Sequence, residues 1–306
     1  MAPCILWAGL GNMGKGMVKN IAAKGPVDSP ILVYNRTAAR AEELCASLPS
    51  GKTKAVTSLP GAAAEADIIF TCVGDDAAVT SIVESILPSV KNKLVVDCST
   101  IHPDTTTSLA SKILAAGGEF VACPVFGAPA AADAGALICV LAGPAASVAK
   151  AKPYCTGVIA KAEIDMSDKP YATALRLKVL GNTFIFNMVE QVAEGHVAAE
   201  KTGMGTEYMH QFIELLFPGV YSAYSNRMLS GDYYQRERPL FQVDLAQKDV
   251  RHAKSLAQSA GLKLGNLEVA AAHLNGVKEH MGVRGDIAGI YGAVREEAGL
   301  KFENGP

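Results

Sequence analysis

The sequence predicts an α/β fold, a doubly wound parallel sheet followed by a smaller all-α domain, and three observations carry that prediction. Short β-rich runs alternate with alanine-rich amphipathic stretches through the first half, the pattern of βαβ units. The first β-rich run leads straight into Gly9, Gly11 and Gly14. After about residue 165 the β-rich runs stop and helical periodicity takes over. A boundary near 166 therefore separates an α/β domain (1–166) from an all-α domain (167–306) that opens with a long helix.

Val, Ile and Phe concentrate in runs at 4–10, 30–35, 67–73, 93–99, 119–125 and 136–143, which are the expected strands. Helix-like stretches lie between them at 13–24, 37–48, 76–86 and 105–116. The second half offers helices at 170–202, 205–216, 219–229, 243–260, 265–280 and 286–298. The polar "EIDMSDKP" (163–170) ends in proline and reads as the entry to the long helix. The final "KFENGP" reads as a frayed tail.

Composition narrows the function. With 49% hydrophobic and 19% charged residues the chain is an ordinary globular protein. A formal charge of -2 offers no general attraction to nucleic acid or an anionic membrane. No apolar run approaches the roughly 18 residues of a membrane span. The opening "MAPCILWAGLGNMG" lacks a basic leader and reads as a first strand, not a signal peptide. Seven cysteines without a C-x-x-C pair imply reduced, buried thiols in a cytoplasmic protein. Six histidines without ligand spacing predict no metal site.

"GLGNMG" is a G-x-G-x-x-G pattern between a strand and a helix, the setting in which such glycines hold a dinucleotide. Gly9 permits the tight turn, Gly11 lets backbone approach a pyrophosphate, and Gly14 lets helix pack on sheet. Asn12 and Met13 lie inside the same turn, where the helix N-terminus offers N–H groups to the anion. The second strand ends in Asn35, Arg36 and Thr37, with no acid to hold a ribose 2'-hydroxyl. An arginine there suits a 2'-phosphate, so NADP(H) is favoured over NAD(H). Val73 and Gly74 end the third strand, and Ser99 and Thr100 the fourth, at the carboxyl edge where such sheets bind ligands. Asp104 reads as the next helix's N-cap and His102 as a loop residue.

Residues 174–200 are apolar around almost the whole helix circumference, which predicts a buried helix. Lys178 lies near its start, and a buried ammonium is costly unless it is used or compensated. Asn182 shares its face at i+4. A lysine in apolar surroundings has its charged form destabilised, toward the range useful for proton transfer.

Five segments now coincide: "GLGNMG" (9–14), "DCSTIHP" (97–103), "CPVFGAPAAADAGAL" (123–137), "LKVLGN" (177–182) and "FQVDLAQKDVRHA" (241–253). In order and spacing they resemble the β-hydroxyacid dehydrogenase family, which includes 3-hydroxyisobutyrate dehydrogenases and glyoxylate or succinic semialdehyde reductases. The resemblance implies a Rossmann-type domain, a helical domain, a homodimer or homotetramer, and a site in the interdomain cleft for a small carbonyl compound or hydroxyacid. It implies Lys178 as the catalytic acid and base with Asn182 as partner. It also implies Lys248, beside Asp249, as a cofactor contact, and Phe241 as a residue that closes over the cofactor.

The substrate loop departs from the family pattern. Phe126 stands where the family has serine, Gly127 survives, and Ala128 replaces the second glycine, so a larger or more apolar carbonyl, or one whose acid is held elsewhere, becomes a candidate. Tyr171 and Arg176 are candidates for a changed cleft floor, and Arg251, three residues after Lys248, for an alternative carboxylate anchor. Two other readings share the plan: an imine reductase, against which Lys178 argues, and a non-catalytic NADP-binding oligomerisation module.

Overall fold

The computed structural model describes residues 2–305; the expected domain limits at 1 and 306 lie outside them. Six strands form a parallel run: β1 (Ile5–Ala8), β2 (Ile31–Tyr34), β3 (Thr53–Ala55), β4 (Ile68–Thr71), β5 (Leu94–Asp97) and β6 (Glu119–Ala122), in the order β3-β2-β1-β4-β5-β6. The sheet continues through β7 (Val125–Phe126), β8 (Leu137–Gly143) and β9 (Ala160–Ser167). Strand β8 is antiparallel to β6 and β7 and parallel to β9. The helices here are α1 (Asn12–Lys24), α2 (Ala38–Ala46), α3 (Leu59–Glu65), α4 (Asp76–Ile86), α5 (Pro103–Ala115), α6 (Pro129–Ala134) and α7 (Ala145–Ala151).

Alternation along β1 explains the two-sided core, because successive side chains leave a strand on opposite faces. Ile5 and Trp7 join one buried cluster with Val33 and Phe70, while Leu6 and Ala8 join another with Leu32 and Ile69. Trp7 stacks on Phe70 at 5.5 Å and donates its indole N–H to the Gly9 carbonyl at 2.8 Å. The core is thereby tied to the glycine turn.

The chain divides into two compact units between Lys178 and Val179. The sequence reading set the division near 166. The first unit extends further because Ala174 and Leu175 pack in the cluster that holds Phe120 and Ala142, and the Tyr171 ring meets Phe120 edge-on at 5.3 Å. These residues open α8 (Tyr171–Lys201). The second unit contains the rest of α8 with α9 (Thr206–Leu216), α10 (Val220–Leu229), α11 (Asp232–Gln235), α12 (Val243–Ser259), α13 (Gly265–Met281) and α14 (Ile290–Glu297). Val189, Val250, Leu274 and Tyr291 lie in its core. Among the described residues no helix is long and apolar enough to cross a membrane.

Three expectations need correction. The polar stretch 163–170, read as the entry to the long helix, is the end of β9 as far as Ser167, and only 168–170 lead into the helix. Lys161, Glu163 and Asp165 interrupt the apolar pattern of β9 because it pairs only with β8, and edge strands commonly carry charge. The long helix is not buried all round, since Leu180 and Phe184 are exposed. Residues 301–305 of the tail are docked, not frayed, and 306 lies outside the described residues. Phe302 is fully buried beside Tyr233 and Tyr291, whose hydroxyl-bearing neighbour Tyr233 donates to the Phe302 carbonyl at 2.5 Å. Burying such a ring contributes roughly 2 to 3 kcal/mol, enough to hold a short terminal segment.

Candidate active site

In the first unit the glycine turn has the shape a dinucleotide needs. Gly9 has φ +107°, and a Cβ there would lie 2.3 Å from the Cys72 carbonyl oxygen. A Cβ on Gly14 would lie 2.2 Å from the Gly9 oxygen. Gly11 is different, because a Cβ there would meet no atom within 4 Å. The turn is thus closed toward the protein at two glycines and open at the third. Gly11 caps α1 without a side-chain bond, and the first turn, with Asn12 and Met13, carries no acid. The donor set therefore fits an anionic pyrophosphate.

Asn35 couples this turn to the second strand. Its Oδ1 accepts from the Leu10 N–H at 3.0 Å and its Nδ2 donates to the Thr37 carbonyl at 3.0 Å. Arg36 and Thr37 are exposed beyond it, and Thr37 caps α2. A second exposed arginine, Arg40, follows in the first turn of α2; the sequence reading passed over it although "NRTAAR" contains both.

At the carboxyl ends of β4 and β5 the loops are cross-linked. The Val73 N–H donates to Ser99 Oγ at 3.0 Å, and the His102 N–H to Asp76 Oδ1 at 2.9 Å. Asp97 accepts from the Thr71 hydroxyl at 2.7 Å and the Ser99 N–H at 3.1 Å. Burial raises its carboxyl above the ordinary range, and the Ser99 and Thr71 bonds offset only part of that. Gly74 is exposed and Thr100 half-buried at this edge. The α5 N-cap is His102, whose Nδ1 accepts from the Asp104 N–H; Pro103 takes the first helical position and moves Asp104 inside the helix.

The loop after β6 brings Phe126 to Lys178, with Nζ 4.5 Å from the ring centroid. Lys178 is buried. Gly127 has φ +141°, and a Cβ there would lie 2.6 Å from Leu137 Cδ2, so only glycine fits. Ala128 caps α6 without a side-chain bond. Sequence reasoning missed how this loop is anchored. A Cβ on Gly16 would lie 2.6 Å from the Ala132 backbone, and Asn20 Nδ2 donates to the Ala132 and Asp133 carbonyls at 2.8 and 3.0 Å. A glycine and an asparagine one turn apart inside a helix were the available signal.

In the second unit Asn182, one helical turn beyond Lys178, donates to Asp249 Oδ2 at 2.6 Å, and Lys248 Nζ stands 3.3 Å from Asp249 Oδ1. The Phe241 N–H donates to Asp286 Oδ2 at 3.0 Å, and its ring lies 6.0 Å from that of Phe186. Asp286 also accepts from the Leu240 and Ala288 N–H groups and from Arg227, fixing the approach to α12. No motif pointed to Asp286. Arg176 and Arg251 are exposed.

Four cysteines cluster in the first unit. The Sγ atoms of Cys123, Cys139 and Cys155 lie within 4.8 Å of one another, a grouping that sequence spacing does not reveal. A hydrogen bond with Cys123, ahead of burial, holds the Cys139 thiol well above its ordinary range. For Cys98 the bond with Cys123 works downward, but burial and neighbouring thiols raise it to about 12. These groups remain protonated thiols at neutral pH.

Residues 4–164 match the NAD binding domain of 6-phosphogluconate dehydrogenase. The NADH-dependent oxidoreductase ucdB of Aspergillus ustus is 38% identical over 95% of this chain and 98% of its own. The chain belongs to the family with this 6-phosphogluconate dehydrogenase-type NAD binding domain. As a member of that family it is an NAD(P)-binding oxidoreductase. The Mycobacterium tuberculosis 3-hydroxyisobutyrate dehydrogenase, solved with L-serine, has a TM-score of 0.80 at 21% identity, covering 96% of this chain and 100% of that one. An imine reductase from Streptomyces aurantiacus has a TM-score of 0.62 at 16% identity, covering 96% and 99%. At those identities the β-hydroxyacid dehydrogenases and imine reductases share the fold with this chain, and the family assignment rests on the first two matches.

Proposed function

We propose that this chain is an NADP(H)-dependent enzyme that interconverts a small-molecule carbonyl compound and its hydroxy counterpart, with Lys178 as general acid and base. The observation that carries the reading is the Asn182 amide, one helical turn after Lys178 on α8, held at 2.6 Å by Asp249. A bound nicotinamide supplies or accepts the hydride. In reduction Lys178 gives its proton to the carbonyl oxygen; in oxidation it takes the proton back. Asn182, with its amide orientation fixed, holds the substrate oxygen or the amine.

Gly9, Gly11, Asn12, Met13 and Gly14 would hold the pyrophosphate. Arg36, with Asn35 and Thr37, would meet the 2'-phosphate. Val73, Gly74, Thr100, Phe241 and Lys248 complete the cofactor contacts, and Ser99, Phe126, Gly127 and Ala128 those of the substrate. NAD(H) is the second reading, favoured by the name of the Aspergillus relative. Exposed Leu180, Phe184, Phe212 and Leu215 support self-association of the second unit as a homodimer or homotetramer. A pool of buried thiols that form no disulfide among the described residues supports a cytoplasmic setting.

Lys178→Ala tests the assignment. Turnover is expected to fall between about 100-fold and 10,000-fold while NADPH affinity stays within about twofold. Equal loss of both would make Lys178 a structural residue. Binding of NADPH by the unaltered protein without turnover of any carbonyl would favour the non-catalytic module.

A further inference from the structure

We propose that Phe126 and Lys178 form one face of an aryl-selective substrate site, so that the preferred carbonyl compound carries an aromatic group and no carboxylate. The inference rests on the reductase reading above and names the substrate class of that same site.

Three consecutive positions face the matter with no side-chain donor. Phe126 ends β7, half-buried, with its ring against the Lys178 ammonium at 4.5 Å. Gly127 admits no side chain, because Leu137 Cδ2 and Ala131 Cβ would lie 2.6 and 3.2 Å from it. Ala128 adds a methyl group, and the next residue, Pro129, has no N–H. The side chains of this loop thus present one aromatic ring and one methyl group, and no donor.

A carboxylate leaving water needs hydrogen-bond donors, and its desolvation is costly without them. The face of a phenyl ring is negative and does not supply them. Lys178 is not a substitute, because its proton is the one the reaction consumes. An aryl group has the opposite balance: it loses little on leaving water and gains by packing offset or edge-on against Phe126. The lysine charge meanwhile is compensated by the ring, as cations are over aromatic faces. Phe126 is thus the specificity-determining residue.

The test uses the full chain with NADPH, benzaldehyde and succinic semialdehyde, in the unaltered protein, Phe126→Ser and Phe126→Leu. Dead-end binding of benzyl alcohol to the NADPH complex gives a second readout by calorimetry. The unaltered protein is expected to favour benzaldehyde in kcat/KM by at least about tenfold, and Phe126→Ser to lose that preference and weaken benzyl alcohol binding by about tenfold. Phe126→Leu, which keeps an apolar side chain, should still use succinic semialdehyde poorly. A preference of the unaltered protein for succinic semialdehyde, or an unchanged ratio in Phe126→Ser, overturns the inference and leaves the reductase reading standing. Turnover of neither aldehyde while NADPH still binds overturns both.

Discussion

Asn182 and Asp249 share a buried hydrogen bond of 2.6 Å, and the same carboxylate stands 3.3 Å from the Lys248 ammonium. One acid therefore orients an amide on α8 and compensates a cation on its own helix. All three side chains are buried. Removing one partner of a buried pair leaves the other uncompensated, so Asp249→Ala is expected to cost about 3 kcal/mol in urea unfolding. Adding Lys248→Met should recover much of that stability. A single variant as stable as the parent would show that the carboxylate carries no structural load.

The glycine turn separates folding from cofactor binding. Gly14→Ala puts a methyl group 2.2 Å from the Gly9 oxygen and should destabilise the fold by about 1 to 3 kcal/mol. Gly11→Ala meets no atom within 4 Å and should change stability by less than about 0.5 kcal/mol. Its effect should be on NADPH affinity, weakened by about tenfold or more as the backbone is kept from the pyrophosphate. Unaltered affinity in Gly11→Ala would place the dinucleotide elsewhere.

Arg36 is the residue at which the proposed choice of NADP(H) over NAD(H) can be tested. Arg36→Asp removes a charge-assisted contact to a 2'-phosphate and restores an acid suited to a 2'-hydroxyl, so the NADPH to NADH affinity ratio should fall by about tenfold or more. Fluorescence titration of both cofactors measures it. A ratio that does not move would assign the chain to NADH, as the Aspergillus relative's name has it.

His273 makes the second unit sensitive to alkali. Its Nδ1 lies 2.7 Å from Glu190 and its Nε2 3.0 Å from Glu297, and the bond with Glu190, ahead of the opposing effect of burial, raises it from 6.5 to about 9. A histidine whose folded value is raised contributes stability that is complete below its unfolded value. That contribution is therefore full below about pH 6.5 and is lost as pH rises through about 9. Glu190→Gln should cost about 1.5 to 3 kcal/mol at pH 6 and flatten the pH dependence over that window. A stability profile identical to the parent's would refute the pairing.

Periodicity made most of this architecture legible. The long helix, expected over 170–202, runs Tyr171–Lys201, and α12, expected over 243–260, runs Val243–Ser259. What escaped were short helices that carry a proline in the first turn. Pro60 lies in the first turn of α3, where Ser58 accepts from the Gly61 N–H, and Pro129 opens α6, which Gly135 closes at φ +68°. Proline at a helix start costs nothing, because its missing N–H has no partner there in any case. The β9 strand escaped because its polar residues satisfy an edge, not a core.

The glycine turn was legible because its geometry is tied to residue type and spacing. Asp286 was not, since an aspartate that gathers the N–H groups of Leu240, Phe241 and Ala288 looks in sequence like any surface acid. Nor was the Asn20 anchor, which depends on a helix more than one hundred residues later, its partners being Ala132 and Asp133. Long-range contacts of single polar side chains leave no periodic trace.

The thiol cluster gives this protein an internal clock. Cys98, Cys123, Cys139 and Cys155 are buried and protonated, so alkylating reagents in water reach them only when the sheet of the first unit opens. Cys4, Cys45 and Cys72, which are partly accessible, label first. Mass spectrometry of a labelling time course would count the two populations separately, and the slower one would time the opening of this unit without any engineered probe.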